Sequence, residues 1–188
     1  MTGSKTVRDE IMGYELPDSV KSKAINIYDE IKLEVGTCRA SVRKQFLYFL
    51  IHNAYLELNQ PPIQSEIIQK VNVDEASVSK ALKAFSWPRT GYKMKNDNST
   101  PKDYLPHYAR VIGIREDAIA SLLVRSEGWI AHPRLKQSPA IVLTAAILKY
   151  YMDITGVLVD WKRIVSIFDV SKVVIENAYR IISEIDNQ

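Results

Sequence analysis

Cysteine is nearly absent from the sequence, and its scarcity excludes several classes of protein. The one thiol, Cys38, excludes an internal disulfide framework and any zinc site built mainly from cysteine. No run of about 18 apolar residues is present, which excludes a transmembrane helix, and the opening MTGSKTVRDE lacks the apolar stretch of a signal peptide. We therefore expect an intracellular protein.

Patterns that carry catalysis or cofactor binding are also missing. The seven glycines are scattered and form no phosphate-binding loop, and the three histidines, His52, His107 and His132, are isolated and lack metal-ligand spacing. Adjacent carboxylates such as Asp74 and Glu75 point about 100° apart on a helix, so they form no catalytic pair. We expect no enzyme, no metal, no cofactor and no small-molecule substrate.

What the sequence does contain is the three-to-four spacing of apolar residues that is typical of helices. The pattern predicts an all-α protein. Its predicted helices cover about 17–35, 40–58, 65–71 and 74–85 in the first half, and about 102–112, 115–130, 139–154, 161–168 and 171–185 in the second.

The second half repeats the helical pattern of the first. The stretch FDVSKVVIENAYRI matches VNVDEASVSKALKAF in its turn and in its apolar positions, with Asp169 standing at the place of Asn72. The repeat indicates an internal duplication of a helical unit. It divides the chain into a polar tail over residues 1–16, a first repeat over 17–85, a linker over 86–99 (SWPRTGYKMKNDNS) and a second repeat over 100–188.

The linker and the helix before it carry the strongest basic cluster. Residues 80–95 contain no acidic side chain and include five cations, Lys80, Lys83, Arg89, Lys93 and Lys95. Such a cluster can neutralise phosphates. Trp87 and Tyr92 within it can pack on bases, or can anchor the linker to the folded units, and a solvated linker without a ligand is the alternative.

Smaller basic clusters occur at comparable places in both halves. The first central helix starts with Arg39, Arg43 and Lys44, and the corresponding loop of the second half has Arg134 and Lys136. The last helix of each half fits the recognition helix of a helix-turn-helix, with Lys172 and Arg180 as outward-facing candidates in the second. For the loops the alternative is a solvated turn, and for the helices it is a pair that only packs on the core.

Three segments of the second half resemble the second cyclin-like repeat of transcription factor IIB. They are TPKDYLPHYARVIGI, AIVLTAAILKYYMDITG after Ser138-Pro139, and RIVSIFDVSKVVIENAYRII. The family positions are held by Pro101, Tyr104, Arg110, Ile114, Ser138, Pro139, Ala145, Ala146, Ile164, Val170 and Ile175, and in the first half by Leu16, Pro17, Tyr28, Gly36 to Ser41, Glu66, Ile67 and Val73.

The resemblance implies two tandem cyclin-like five-helix repeats and a general transcription initiation factor. Such a factor binds promoter DNA together with a TATA-binding protein and bridges to RNA polymerase, and the connector between its repeats lies close to DNA. We expect a monomer that is nuclear, or cytoplasmic if the source is viral or archaeal.

The sequence departs from this family in two respects, because it has no zinc ribbon with its linker and because the central helix of its first half, SVRKQFLYFLIHNAY, is less rich in alanine. Two explanations fit: the core alone of a longer protein, or a divergent relative, for example a viral one, that lacks the ribbon. Two other functions stay open. One is a cyclin-type adaptor that binds a kinase or another protein and not DNA, and the other is a repeat scaffold without a role in transcription.

Overall fold

The computed structural model describes residues 5–187. They form eleven α-helices and two short 3₁₀ helices, with no β-strand among them. The prediction of an all-α protein is confirmed. None of the helices in this part of the chain is both long enough and apolar enough to cross a membrane. The chain forms two compact units, one ending at Asn98 and the other beginning at Ser99.

The first unit is built around one long central helix. Its helices are α1 (Val7–Gly13), α2 (Asp18–Val35), α3 (Ala40–Glu57), α4 (Gln64–Val71), α5 (Val78–Ala84) and α6 (Trp87–Thr90), with a 3₁₀ helix at Glu75–Ser77. Helix α3 is buried over most of its length because α2, α4 and α5 all pack against it. The rings of Phe46 and Phe49 lie 4.8 Å and 5.7 Å from the ring of Phe85, which closes the core.

The structure corrects the predicted polar tail of residues 1–16. Residues 7–13 form α1, which begins with a capping box: Thr6 Oγ1 accepts a hydrogen bond from the Asp9 amide at 3.1 Å, and the Asp9 carboxylate accepts one from the Thr6 amide at 2.9 Å. Ile11 is fully buried, and Arg8 forms an ion pair with Asp29 of α2. Tertiary contacts therefore stabilise a helix of only two turns. Residues 1–4 of the predicted tail lie outside the described residues.

The second unit also has one buried central helix. Its helices are α7 (Pro101–Ile112), α8 (Glu116–Ala131), α9 (Ala140–Ile154), α10 (Trp161–Phe168) and α11 (Lys172–Asp186), with a 3₁₀ helix at Pro133–Leu135. The central helix is α9, which α7, α8, α10 and α11 contact. Its ten buried residues include the run Val142–Tyr150, so this helix is apolar around its circumference.

Left-handed backbone ends one short helix in each unit, α4 in the first and α10 in the second. Helix α4 ends at Asn72 with φ 54°, and α10 ends at Asp169 with φ 50°. Asparagine and aspartate tolerate this conformation better than most residues because their short polar side chains bond to nearby backbone. The central helices are likewise followed by positive φ at Asn59 and Gly156. These turns set the direction of the helices that follow them, α4 and α5 in the first unit and α10 and α11 in the second.

Candidate nucleic-acid interface

Two lysines lie on the outer face of α5. Val78 and Ala81 of this helix are buried against the core, whereas Lys80 and Lys83 are exposed. The spacing of three residues puts the two ammonium groups on neighbouring positions of one helix face. Neither lysine forms an ion pair within residues 5–187. Two positive charges are therefore available to an anion on this face.

The segment that follows, which the sequence predicts to be part of a linker over residues 86–99, is folded over its first residues. Residues 87–90 form the single-turn helix α6, and Thr90 and Tyr92 are buried. The Thr90 hydroxyl donates to the Phe85 carbonyl at 2.6 Å and accepts from the Tyr92 amide at 3.2 Å. The Tyr92 ring packs edge-on against Phe49, 5.8 Å away. Residues 86–92 are thus part of the first unit, and the unpacked connection is shorter than predicted.

Helix α6 and the residues directly after it add two exposed cations and one exposed ring to the segment that follows α5. Arg89 is exposed, and its guanidinium carbon lies 5.7 Å from the centre of the Phe85 ring. Trp87 is 56% exposed, and the Lys93 ammonium lies 4.8 Å from the centre of the indole. In the described part of the chain neither Arg89 nor Lys93 has a carboxylate partner.

We call Lys80, Lys83, Arg89 and Lys93, with the indole of Trp87, the α5–α6 basic surface. The sequence places its four cations within one stretch, and the structure keeps all four exposed. What the sequence leaves open is which of the two linker aromatics is the anchor. Tyr92 is buried and anchors the segment, whereas Trp87 faces the solvent.

Lys95 differs from the other cations of the predicted linker because it has an acidic partner. Its ammonium lies 3.0 Å from Glu57 Oε2, and the Tyr92 hydroxyl donates to Glu57 Oε1 at 3.3 Å. Burial, together with the adjacent Glu57 carboxylate, raises the pKa of the Tyr92 phenol. Glu57 therefore holds the end of α6 and the start of the connection against α3.

Of the three cations at the start of α3, two face the solvent and one forms contacts within the fold. Arg39 and Lys44 are exposed, whereas Arg43 is half-buried and reaches α1, where its Nε lies 2.9 Å from Glu10 Oε1 and its guanidinium donates to the Lys5 carbonyl. Arg43 therefore fixes α1 onto α3.

The thiol of Cys38 is influenced by cations from two different segments of the first unit. The side chain is half-buried. Burial raises the pKa of its thiol, while the charges of Arg89 and Arg43 act in the opposite direction. Cations of α6 and of the start of α3 therefore both influence this thiol, although Arg43 and Arg89 are far apart in the sequence.

The four cations of the second unit that are predicted to contact DNA lie further apart in the sequence than those of the α5–α6 basic surface. Two of them pair with glutamates. Arg134 lies 2.8 Å from Glu184, and Lys172 lies 4.0 Å from Glu176 one helical turn further along α11. Lys136 and Arg180 are exposed and form no ion pair within the described chain. On α11 the buried residues are Ile175, Ala178 and Ile182, and the predicted outward-facing positions are exposed.

The second unit contains a polar and aromatic network that was not predicted from the sequence. Lys149 is 6% exposed on the central helix α9, where it pairs with Asp153 one turn later and lies 5.2 Å from the Trp161 ring centre. The Tyr179 hydroxyl donates to Asp153 at 2.9 Å, and the proximity of this carboxylate adds to burial in raising the pKa of Tyr179 to about 12. An i, i+4 pair of lysine and aspartate inside an apolar helix is the signal that could have revealed it.

Comparison with known proteins adds no family to these observations. A scan of the sequence against protein-family models finds no match, and a search of curated proteins also finds none. The function is therefore inferred from the chemistry of the α5–α6 basic surface and from the residues of the chain.

Proposed function

We propose that the protein is a factor-IIB-type transcription initiation factor whose first unit binds promoter DNA through the α5–α6 basic surface. It acts with a TATA-binding protein bound to the same promoter and bridges this complex to RNA polymerase. The observation that carries the proposal is four exposed cations, Lys80, Lys83, Arg89 and Lys93, that lack carboxylate partners in residues 5–187. When cations without carboxylate partners contact DNA phosphates, they release the counterions that are condensed on the DNA. This release favours binding to a polyanion.

The arrangement of helices supports two cyclin-like repeats as the scaffold. Each unit surrounds one buried central helix, α3 or α9, and in each a short helix and a further helix come next, α4 and α5 in the first unit and α10 and α11 in the second. The first unit has α6 in addition. Positive backbone φ occurs at Asn59 and Asn72 in the first unit and at Gly156 and Asp169 in the second, which are matching positions of the sequence repeat. We infer that the second unit holds the protein partners, since it exposes large apolar side chains such as Leu158 and Val173.

The salt dependence of binding to duplex DNA tests the proposal. The slope of log affinity against log salt concentration is negative, and each phosphate contact contributes about 0.9 to its magnitude. If Lys80 and Lys83 each contact a phosphate, replacing both with alanine therefore reduces the magnitude of the slope by about 2. The measurement is fluorescence anisotropy on a labelled promoter duplex between about 50 mM and about 200 mM salt. Circular dichroism of the variant shows that its helices are retained.

The matched control removes two lysines that do not belong to the α5–α6 basic surface. Lys23→Ala with Lys162→Ala changes the formal charge by the same amount, and we expect the slope of the unchanged protein. A second arm adds a TATA-binding protein to the promoter and looks for a slower band in a gel shift. An unchanged slope for Lys80→Ala/Lys83→Ala, or no slower band under any of these salt conditions, contradicts the proposal.

Four ion pairs favour a second function, a cyclin-type adaptor that binds a protein and not DNA. Glutamates already engage Lys95, Arg43, Arg134 and Lys172 of the predicted contacts. The second unit also exposes apolar side chains, with Leu158 98% and Val173 67% exposed, as a protein-binding surface would. An adaptor of this kind elutes from heparin at the same salt concentration whether or not Lys80 and Lys83 are present.

A further inference from the structure

Trp87 is held in place although its ring faces the solvent. It opens α6, with Pro88 in the first turn, and the Gly91 amide donates to the Trp87 carbonyl at 3.0 Å. Gly91 takes φ 73°, a conformation that glycine adopts without strain, and the position of a Cβ there would be 4.0 Å from the indole. The buried Thr90 and Tyr92 then fix the rest of the turn. The backbone that carries the indole is therefore held in one conformation by these contacts.

An indole that is 56% exposed leaves much of its apolar surface in water, which is unfavourable without a partner. The charges around it indicate the partner. Lys93 lies 4.8 Å from the ring centre, Arg89 is two residues away, and Lys80 and Lys83 lie on the neighbouring helix. No acidic residue occurs between Lys80 and Lys95. The chemistry that combines a flat apolar face with closely spaced negative charges is that of an unpaired nucleotide.

We propose that Trp87 is a stacking platform for an unpaired base of single-stranded DNA, with Lys93 and Arg89 contacting the phosphates on either side of that base. This inference rests on the proposed function, because it deepens DNA binding by the α5–α6 basic surface. Every base offers a π face, so stacking on an indole needs no particular sequence, and cations beside the ring add to it. Inside a duplex the base faces are already stacked, so the indole distinguishes a single strand from a duplex.

The position of Lys93 beside the ring is compatible with stacking of a base on the indole. The Lys93 ammonium interacts with the indole as a cation with a π face, and at an exposed position this interaction is weak. A phosphate is a stronger partner for the ammonium than the ring is. Lys93 can therefore turn to a phosphate and leave the ring to the base.

The test compares a single strand with a duplex. The probes are labelled oligothymidylate of about 20 nucleotides and a duplex of equal length, measured by anisotropy at about 50 mM salt. Trp87→Leu keeps apolar bulk but removes the aromatic face. We expect it to weaken binding to the single strand by about tenfold, since stacking contributes about 1–3 kcal/mol per base. Binding to the duplex should change by less than about twofold.

Two further variants make the result specific to the ring. Trp87→Tyr retains an aromatic face and should recover most of the affinity for the single strand. Trp161→Leu removes one of the two indoles of the second unit, the one with lysines beside it, with Lys149 at 5.2 Å and Lys172 at 5.6 Å from the ring centre. It should leave this affinity unchanged. Quenching of tryptophan fluorescence by the oligothymidylate should disappear in Trp87→Leu.

The outcomes separate this inference from the proposed function. Duplex binding that depends on Lys80 and Lys83, with equal single-strand affinity in Trp87→Leu and the unchanged protein, overturns the stacking site and leaves the proposed function intact. A loss in Trp87→Leu that is equal for both probes also overturns it. Single-strand binding that depends on Trp87, without duplex binding, supports the stacking site and contradicts the proposed function. A protein that binds neither probe refutes both.

Discussion

Acid should weaken the first unit through one histidine of its central helix. His52 stacks on Tyr48 one helical turn earlier, with ring centres 5.8 Å apart, and its Nδ1 is buried without a hydrogen-bond partner in the described residues. Burial lowers the pKa of the imidazole from 6.5 to about 4, while the charge of Asp97 acts in the opposite direction. The folded unit therefore holds this side chain neutral at a pH where an unfolded chain protonates it.

The sign and size of the effect follow from this difference in pKa. As the pH falls through 6.5, the unfolded chain takes up a proton that the folded unit accepts only near pH 4. Stability from His52 is complete above the unfolded pKa and is lost as the pH falls between these two values. A difference of this size corresponds to roughly 3 kcal/mol, of which most is lost by about pH 4.5.

The assay is urea unfolding followed by circular dichroism, at about pH 7.5 and about pH 4.5. His52→Phe keeps a ring against Tyr48 but cannot take up a proton, so we expect its loss of stability on acidification to be smaller by roughly 2–3 kcal/mol. His132→Gln is the control at a half-exposed histidine of the second unit, and it should leave the contribution of His52 unchanged. Equal acid sensitivity in His52→Phe and the unchanged protein would refute the reasoning.

Two further predictions concern contacts that the sequence pattern does not reveal. Ile11→Ala should lower the free energy of unfolding by about 2–5 kcal/mol, because the side chain is fully buried, whereas Met12→Ala, at a position 56% exposed, should change it by less than about 0.5 kcal/mol. An equal loss in both variants would mean that α1 does not pack as described. Asp186→Ala should cost about 1–3 kcal/mol, because the buried Tyr150 hydroxyl donates to this carboxylate at 2.9 Å. Glu184→Ala, which breaks an exposed ion pair, should cost less than about 1 kcal/mol in the same urea titration, and a larger loss there would contradict the comparison.

The helices that the sequence predicts correctly are those with clear local signals at their ends. Gly36 ends α2, and Gly113 ends α7 with φ 96°, as glycine after the last apolar position of a helix predicts. Helix α10 begins and ends at the predicted residues, because Asp160 caps it and its apolar positions follow one face. Amphipathic periodicity and caps are properties of the nearest few residues, so they can be recognised without the fold.

The features that the sequence pattern misses depend on contacts between distant residues. Helix α1 has one buried residue, Ile11, and is too short for periodicity to be recognised. The choice between Trp87 and Tyr92 as the anchor depends on space beside Phe49, which no local pattern encodes. The turn SWPRTG does have a signal, since proline in the first turn and glycine after the last residue are typical of a short helix.

The ion pairs in the two units do not all remove cations from the proposed DNA contacts, because they differ in burial. Lys95, Arg134 and Lys172 have side chains about half-exposed, and an exposed pair contributes at most about 1 kcal/mol, so a phosphate can replace the carboxylate at little cost. Arg43 is 23% exposed and also donates to the Lys5 carbonyl, so releasing it would free α1 from α3. Of the predicted contacts, we therefore assign Arg43 to the structure of the first unit. The three half-exposed cations remain available to phosphates, in addition to the α5–α6 basic surface.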